Sequence, residues 1–249
     1  MDRLESRCEL LRSLHVPGDP LVLPNAWDVS SARAVLAAGF PVVATTSGGV
    51  AATLGYEDHE GAPGEEMLAA AARIARAVDA PVTVDAEAGY GLEPAELVAA
   101  LEDAGAAGCN LEETDHATET LRNPAEQAAW LRRVRDAAAA DGYPLVVNAR
   151  IDVFLAGDGA QGDLVPDALE RARAYLEAGA DCVYPIALRE AEAVRRFVSE
   201  AGGPVNILAL PQAPPLDQLA ALGVARISYG SLLHRESMDE LERRLATIA

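Results

Sequence analysis

Cysteine is scarce in this chain. Cys8, Cys109 and Cys182 are widely separated and carry no metal-type spacing, which leaves no disulfide framework and suits a reducing compartment. No secretory leader is expected, because the opening Met1-Asp2-Arg3-Leu4-Glu5 lacks the basic-then-apolar pattern. No apolar run approaches membrane-spanning length. Basic residues are outnumbered, 20 against 39 acidic, for a formal net charge of -19. That charge repels nucleic acid and anionic lipid at long range, so neither is an expected partner. It opposes small anions as well, so a carboxylate ligand needs a cation or a focused arginine nearby. No linker, low-complexity tract or charge block marks a boundary. The expectation is a cytoplasmic protein in which residues 1–249 form one domain.

What is present is regular. Eight short apolar segments recur: Leu21 to Pro24, Val42 to Thr46, Val82 to Asp85, Cys109 to Glu112, Leu145 to Arg150, Cys182 to Pro185, Val205 to Leu210 and Arg226 to Gly230. Most follow turn punctuation such as Asp79-Ala80-Pro81 or Ala178-Gly179-Ala180-Asp181. Between them lie amphipathic stretches, among them 63–78, 94–104, 124–140, 166–178 and 188–201, in which apolar residues return at three and four. Several carry proline near the first turn, where its missing N–H does no harm. At 249 residues, with half of them hydrophobic, this alternation predicts an α/β fold, a single (β/α)8 barrel of the TIM type. The residues before Leu21 read as an extra N-terminal helix closing its bottom.

A barrel places its chemistry at the C-terminal ends of its strands. Asp85 and Glu87 lie two apart at the end of strand three and are expected to share a face by alternation. Strand four contributes Asn110 and Glu112, and strand five Asn148 and Arg150. Any one of these could merely cap a strand or pair with a basic residue. Together the three carboxylates would repel one another without a cation among them, and oxygen ligands suit Mg²⁺ or Mn²⁺. After strand two, Ser47-Gly48-Gly49 offers a hydroxyl and backbone N–H groups that a carboxylate or phosphate oxygen could approach, though the same tripeptide is also an ordinary loop.

Taken in order, Pro24-Asn25-Ala26-Trp27-Asp28, Thr46-Ser47-Gly48-Gly49, Leu54-Gly55-Tyr56-Glu57-Asp58, Asp85-Ala86-Glu87-Ala88-Gly89-Tyr90-Gly91, Leu111-Glu112-Glu113 and Asn148-Ala149-Arg150-Ile151-Asp152 resemble the signature segments of the isocitrate lyase/phosphoenolpyruvate mutase superfamily. The resemblance covers nearly the whole chain. It implies a (β/α)8 barrel, usually oligomeric, that binds Mg²⁺ and makes or breaks C–C or P–C bonds beside a 2-oxo acid or its enolate. By position it implies that Asp85 contacts the metal, with Glu87, Glu112 and Asp58 around it, largely through water. It further implies that Ser47, Gly48 and Gly49 hold a substrate carboxylate and that Arg150 clamps substrate oxygens. Glu87 stands where the best-known members have Asp.

The chain also departs from the family. Its lyases carry a loop motif with Lys and Cys after strand four, whereas this segment, Glu113 to Pro124, has neither, and Asn110 stands where those lyases have His. Cys109 cannot substitute, because alternation turns it away from Asn110 and Glu112. His116 is the remaining candidate proton shuttle, although a lone loop histidine is often only solvated. The catalytic candidates are therefore Arg150, Asp58 and His116. Tyr56, Asn110, Asn148 and Asn206 join Ser47, Gly48 and Gly49 as substrate-binding candidates. The expected activity is Mg²⁺-dependent cleavage or decarboxylation of a small 2-oxo or 2-hydroxy acid through an enolate. P–C bond chemistry on a phosphonopyruvate-like substrate, or ligand binding without turnover, are the alternatives. A homo-oligomer is expected, with a swapped C-terminal helix in doubt because the chain stops soon after Met238 to Ile248.

Overall fold

The computed structural model describes residues 3–248. The chain opens with α1 (Arg3–Ser13) and runs through β1 (Leu21–Leu23), β2 (Asn25–Ala26), α2 (Val29–Ala37), β3 (Val43–Thr45), α3 (Ser47–Leu54), α4 (Gly64–Ala77), β4 (Val82–Asp85), α5 (Pro94–Ala104) and β5 (Gly108–Leu111). A hairpin of β6 (Thr114–Asp115) and β7 (Thr120–Leu121) leads to α6 (Pro124–Ala140), β8 (Val146–Ile151) and the short α7 (Val153–Ala156). Then follow α8 (Gln161–Glu177), β9 (Cys182–Pro185), α9 (Ala191–Glu200), β10 (Asn206–Leu208), α10 (Leu216–Ala221), β11 (Arg226–Ser228) and α11 (Leu232–Ala246).

Outside the hairpin, the paired strands run parallel, in the orders β1-β11-β10 and β2-β3-β4-β5-β8-β9. Parallel neighbours need crossover connections, and the intervening helices supply them. The two sheets approach at both edges. β1 and β2 are separated by Pro24 alone, whose missing N–H interrupts the ladder. An isolated parallel bridge joins Val183 of β9 to Val205, just before β10. Asn25 ties the sheets further: its Nδ2 donates to Thr45 O at 2.7 Å, and its Oδ1 accepts the N–H groups of Tyr229 and Gly230.

Alternation along the strands sorts side chains to two faces. Val84, Cys109, Leu111, Val147, Ala149 and Val183 join the apolar core with helix residues such as Leu97, Leu101, Val134 and Leu169. Each fully buried aliphatic side chain of this kind contributes about 1.5–3 kcal/mol. The residues between them, including Thr83, Asp85, Asn110, Asn148, Arg150 and Arg226, form a polar opposite face. α1 lies across the strand beginnings, where a Cβ on Gly108 would stand 2.8 Å from Leu11 and 2.6 Å from Val146 O.

Two helices differ from expectation. α8 starts at Gln161, five residues before Pro166, which sits in its second turn. Ser47-Gly48-Gly49 is the first turn of α3 and not a loop. The last element, α11, runs for 15 residues with none of them buried. No helix among the described residues is long and apolar enough to cross a membrane.

Candidate active site at the strand ends

Strand register brings Asp85 of β4 opposite Asn110 of β5, and Asn110 opposite Asn148 of β8. Asp85 Oδ2 accepts the N–H of Ser47 at 3.0 Å, and the Asp85 N–H is held by Thr45 Oγ1 at 2.9 Å. Its other oxygen, Oδ1, is buried and has no hydrogen-bond partner among the described residues. A buried carboxylate oxygen left without a donor is costly, on the order of 1–3 kcal/mol. An oxygen anion in that condition is the donor type that a hard divalent cation takes.

Acidic groups surround it. Glu87 is buried, and burial, with the charges of Asp85, Asp58 and Glu112, pushes its carboxyl up to about 8, against the Glu60 N–H that it accepts at 2.6 Å. Asp58 packs on the first turn of α3, where a Cβ on Gly48 would lie 2.6 Å from Asp58 Oδ2 and 2.7 Å from Ser231 Oγ. Only glycine allows that approach.

A cationic half faces this acidic half. The chain has no lysine, so every fixed positive side chain is an arginine. Arg150 lies against Glu112 through Nη1 and donates from Nε to Asp152 Oδ1 at 2.7 Å. Burial opposes its charge, but Asp152 and Glu112 raise its pKa above that of free arginine. Glu112 also binds His116 Nε2 at 2.5 Å, and this bond raises the His116 pKa. Burial raises the Glu112 carboxyl, while Arg150 and His116 oppose that rise. The His116 ring stands 5.3 Å from that of His59. A cavity of about 340 Å³ opens here, lined in part by His59, Thr114, His116, Arg150, Asp152 and Leu155. A site with acids on one side and an arginine with a hydrogen-bonded histidine on the other can hold a cation, bind a carboxylate and move a proton.

Residues 11–249 match the family model described as phosphoenolpyruvate phosphomutase. The chain belongs to the phosphoenolpyruvate mutase family. It is 41% identical to a crystallised phosphonomutase candidate from Burkholderia cenocepacia, with a TM-score of 0.93 over 97% of this chain and 99% of that one. It is 31% identical over 240 residues to the 2-methylisocitrate lyase of Salmonella typhimurium, spanning 87% of this chain and 79% of the enzyme. An uncharacterized protein of Mycobacterium tuberculosis is 36% identical over 219 residues, 88% of this chain and 81% of that protein. The 2,3-dimethylmalate lyase structure, described as a member of the PEP mutase/isocitrate lyase superfamily, shares the fold at 24% identity and a TM-score of 0.83.

In this phosphoenolpyruvate mutase family member, several expected site residues lie elsewhere or act differently. Among the described residues, no three acid, histidine or cysteine side chains stand close enough to form a ready cage for a metal ion. Asp85 and Glu87 do not share a strand face, because β4 ends at Asp85 and Glu87 takes φ 48°. Glu112 is engaged by Arg150 and His116, and the Ser47 N–H is taken by Asp85. Tyr56 turns to the surface, donating to Glu66 at 2.9 Å. Asn206 opens β10 and is fully buried against Ser228, so it lies below the strand ends. Asn148 is also fully buried and donates to Asn110 Oδ1 at 2.8 Å. Gly49 packs against Trp27 and Thr46, where a Cβ would be 2.9 Å and 2.8 Å away.

Other residues emerge from the structure alone. Asp152 accepts from both Arg150 and Thr114 Oγ1. Glu113, wholly buried, accepts the Asp152 N–H at 2.9 Å and is gripped by Arg171 and Tyr175 of α8. The spacing of Arg150 and Asp152, two apart along one chain segment, was a signal for the first. Nothing local marked Arg171 or Tyr175, which approach from 58 and 62 residues away.

Proposed function

We propose that this chain is a magnesium-dependent lyase or decarboxylase acting on a small 2-oxo or 2-hydroxy carboxylic acid through an enolate. The observation that carries this reading is the buried, unpartnered Asp85 Oδ1 across from the Arg150 cluster. We read the two approaching sheets as one eight-stranded barrel and a single domain whose mouth is the site. Mg²⁺ or Mn²⁺ would be held by Asp85, with Glu87, Glu112 and Asp58 around it, and supplies a Lewis acid for negative charge developing on a substrate oxygen.

The protein's own groups do the rest. Arg150 binds a substrate carboxylate with a charge that does not titrate near neutrality. Asp152 and Glu112 fix its guanidinium plane. His116 Nε2, held by Glu112, carries a proton within reach of the cavity and replaces the acid–base group that the loop lacks. The free N–H groups of the first turn of α3 receive a second oxygen. Identity to a 2-methylisocitrate lyase supports C–C chemistry. The 41% identity to a phosphonomutase candidate supports a second reading, P–C bond mutase or hydrolase chemistry.

A panel of 2-oxo acids, malate-type acids and phosphonopyruvate, assayed with and without Mg²⁺, tests the proposal. Metal-dependent release of a carbonyl product from a carbon acid supports it, whereas turnover of phosphonopyruvate alone moves the assignment to the second reading. Binding across the panel with no turnover identifies a non-catalytic 2-oxo-acid-binding homologue. We also propose a homo-oligomer working in the cytoplasm, which the bare face of α11 and three buried free cysteines support.

A further inference from the structure

Arg226 is among the largest side chains wholly enclosed by the protein, and its pKa is lowered by that burial. Nε and Nη1 have no hydrogen-bond partner among the described residues. The bond it does make runs from Nη2 to Asn110 Oδ1, 3.1 Å. Enclosing a guanidinium without a counter-ion is unfavourable. Its one directed contact points to what it is for.

An arginine can only donate, so the Asn110 atom facing it must be the carbonyl oxygen. Asn148 then also meets that oxygen and must donate from Nδ2, at 2.8 Å. Two donors from fully buried residues thus fix one end of the Asn110 amide. The planar amide leaves the Asn110 NH₂ directed away from both, with no partner among the described residues. Asn110 keeps a small exposed fraction, 7%, and sits in strand register with Asp85. A flipped Asn110 would set NH₂ against guanidinium and against the Asn148 amide, so the orientation has one stable choice.

We propose that Arg226 is a positioning residue that locks Asn110 as a hydrogen-bond donor to an oxygen of the bound acid. This rests on the functional reading above and adds the chemistry of one contact: the ligand group at Asn110 is an acceptor, a carboxylate or 2-oxo oxygen. Asn148 supports the same orientation from the neighbouring strand.

The test is calorimetric titration of oxalate in the presence of Mg²⁺, because every oxalate oxygen is an acceptor. Arg226→Met should weaken oxalate about tenfold, the worth of one ordinary hydrogen bond. Asn110→Ala should do the same, and Arg226→Lys should restore much of the loss. In the Asn110→Ala background, Arg226→Met should add less than about twofold, because the two residues act through one contact. A tenfold loss that persists in that background overturns the proposal, as does unchanged binding by a folded Arg226→Met. If Arg226→Met does not fold by circular dichroism, the same cycle is run with Arg226→Leu, which likewise cannot donate to Asn110. Absence of oxalate binding by the wild-type protein overturns the functional reading itself and takes this inference with it.

Discussion

Asp85 Oδ2 and the backbone nitrogen of Ser47 lie 3.0 Å apart, tying the end of β4 to the first turn of α3. This contact aims the second carboxylate oxygen at the site and leaves it bare.

Asp85→Ala should therefore lower Mg²⁺-dependent oxalate affinity by about two orders of magnitude, at least what loss of a metal-supporting group costs. The circular dichroism spectrum should be unchanged, because Asp85 lies outside the apolar core. Unaltered affinity in titration calorimetry would refute the role given to Asp85.

Asp152→Ala removes the acceptor that fixes the Arg150 guanidinium plane. We expect kcat/KM on any active substrate to fall about a hundredfold, the scale of a misplacement near 1 Å. Asp152→Asn retains an acceptor for Arg150 Nε and should recover part of the loss. Equal rates in all three proteins would show that Arg150 is held by Glu112 alone.

Stability should depend on pH through His15. It is buried, donates from Nδ1 to Leu11 O at 2.8 Å and leaves Nε2 unpartnered; burial, with Arg226, pulls its pKa down to about 4. Because the folded value lies below that of an unfolded histidine, about 6.5, the unfolded chain binds more protons between these values. Its contribution is therefore intact above pH 6.5 and is lost as pH falls toward 4, by up to about 3 kcal/mol. Glu87 acts in the opposite sense, its raised carboxyl favouring the folded state at low pH and losing that benefit as pH rises toward 8. The difference between wild-type and His15→Gln isolates the histidine. If urea denaturation shows the same pH slope for both proteins, the assignment is wrong.

The exposed apolar residues Met238, Leu241, Leu245 and Ile248 recur at helical spacing along α11 and beyond it. Light scattering on Leu241→Asp/Leu245→Asp should show a smaller assembly than the wild-type protein. A wild-type monomer, or an unaltered mass in the double variant, would remove α11 from the interface.

Strand positions could be read to within one or two residues, because parallel strands show as apolar runs between Gly and Pro punctuation. Asp85, Arg150 and Ser47 were legible as site candidates because each stands at, or just beyond, the C-terminal end of a strand. Alternation misled at Glu87, since a positive φ after the strand reverses the path of the chain. It also let Asn148 and Asn206 pass as mouth residues, because depth along a strand is not encoded in alternation. The first helical turn at Ser47 was hidden by two glycines, which are poor helix formers. Arg226 looked like an ordinary strand residue. Its hydrogen bond to Asn110 joins positions 116 apart, which no local pattern shows.

The stems of the 114–121 hairpin are clamped together, since Arg122 N–H reaches Glu113 O at 2.9 Å while Arg171 holds both Glu113 and the Arg122 carbonyl. His116 rides on that braced hairpin, so its grip on Glu112 is anchored from α8 as well as from the strand ends.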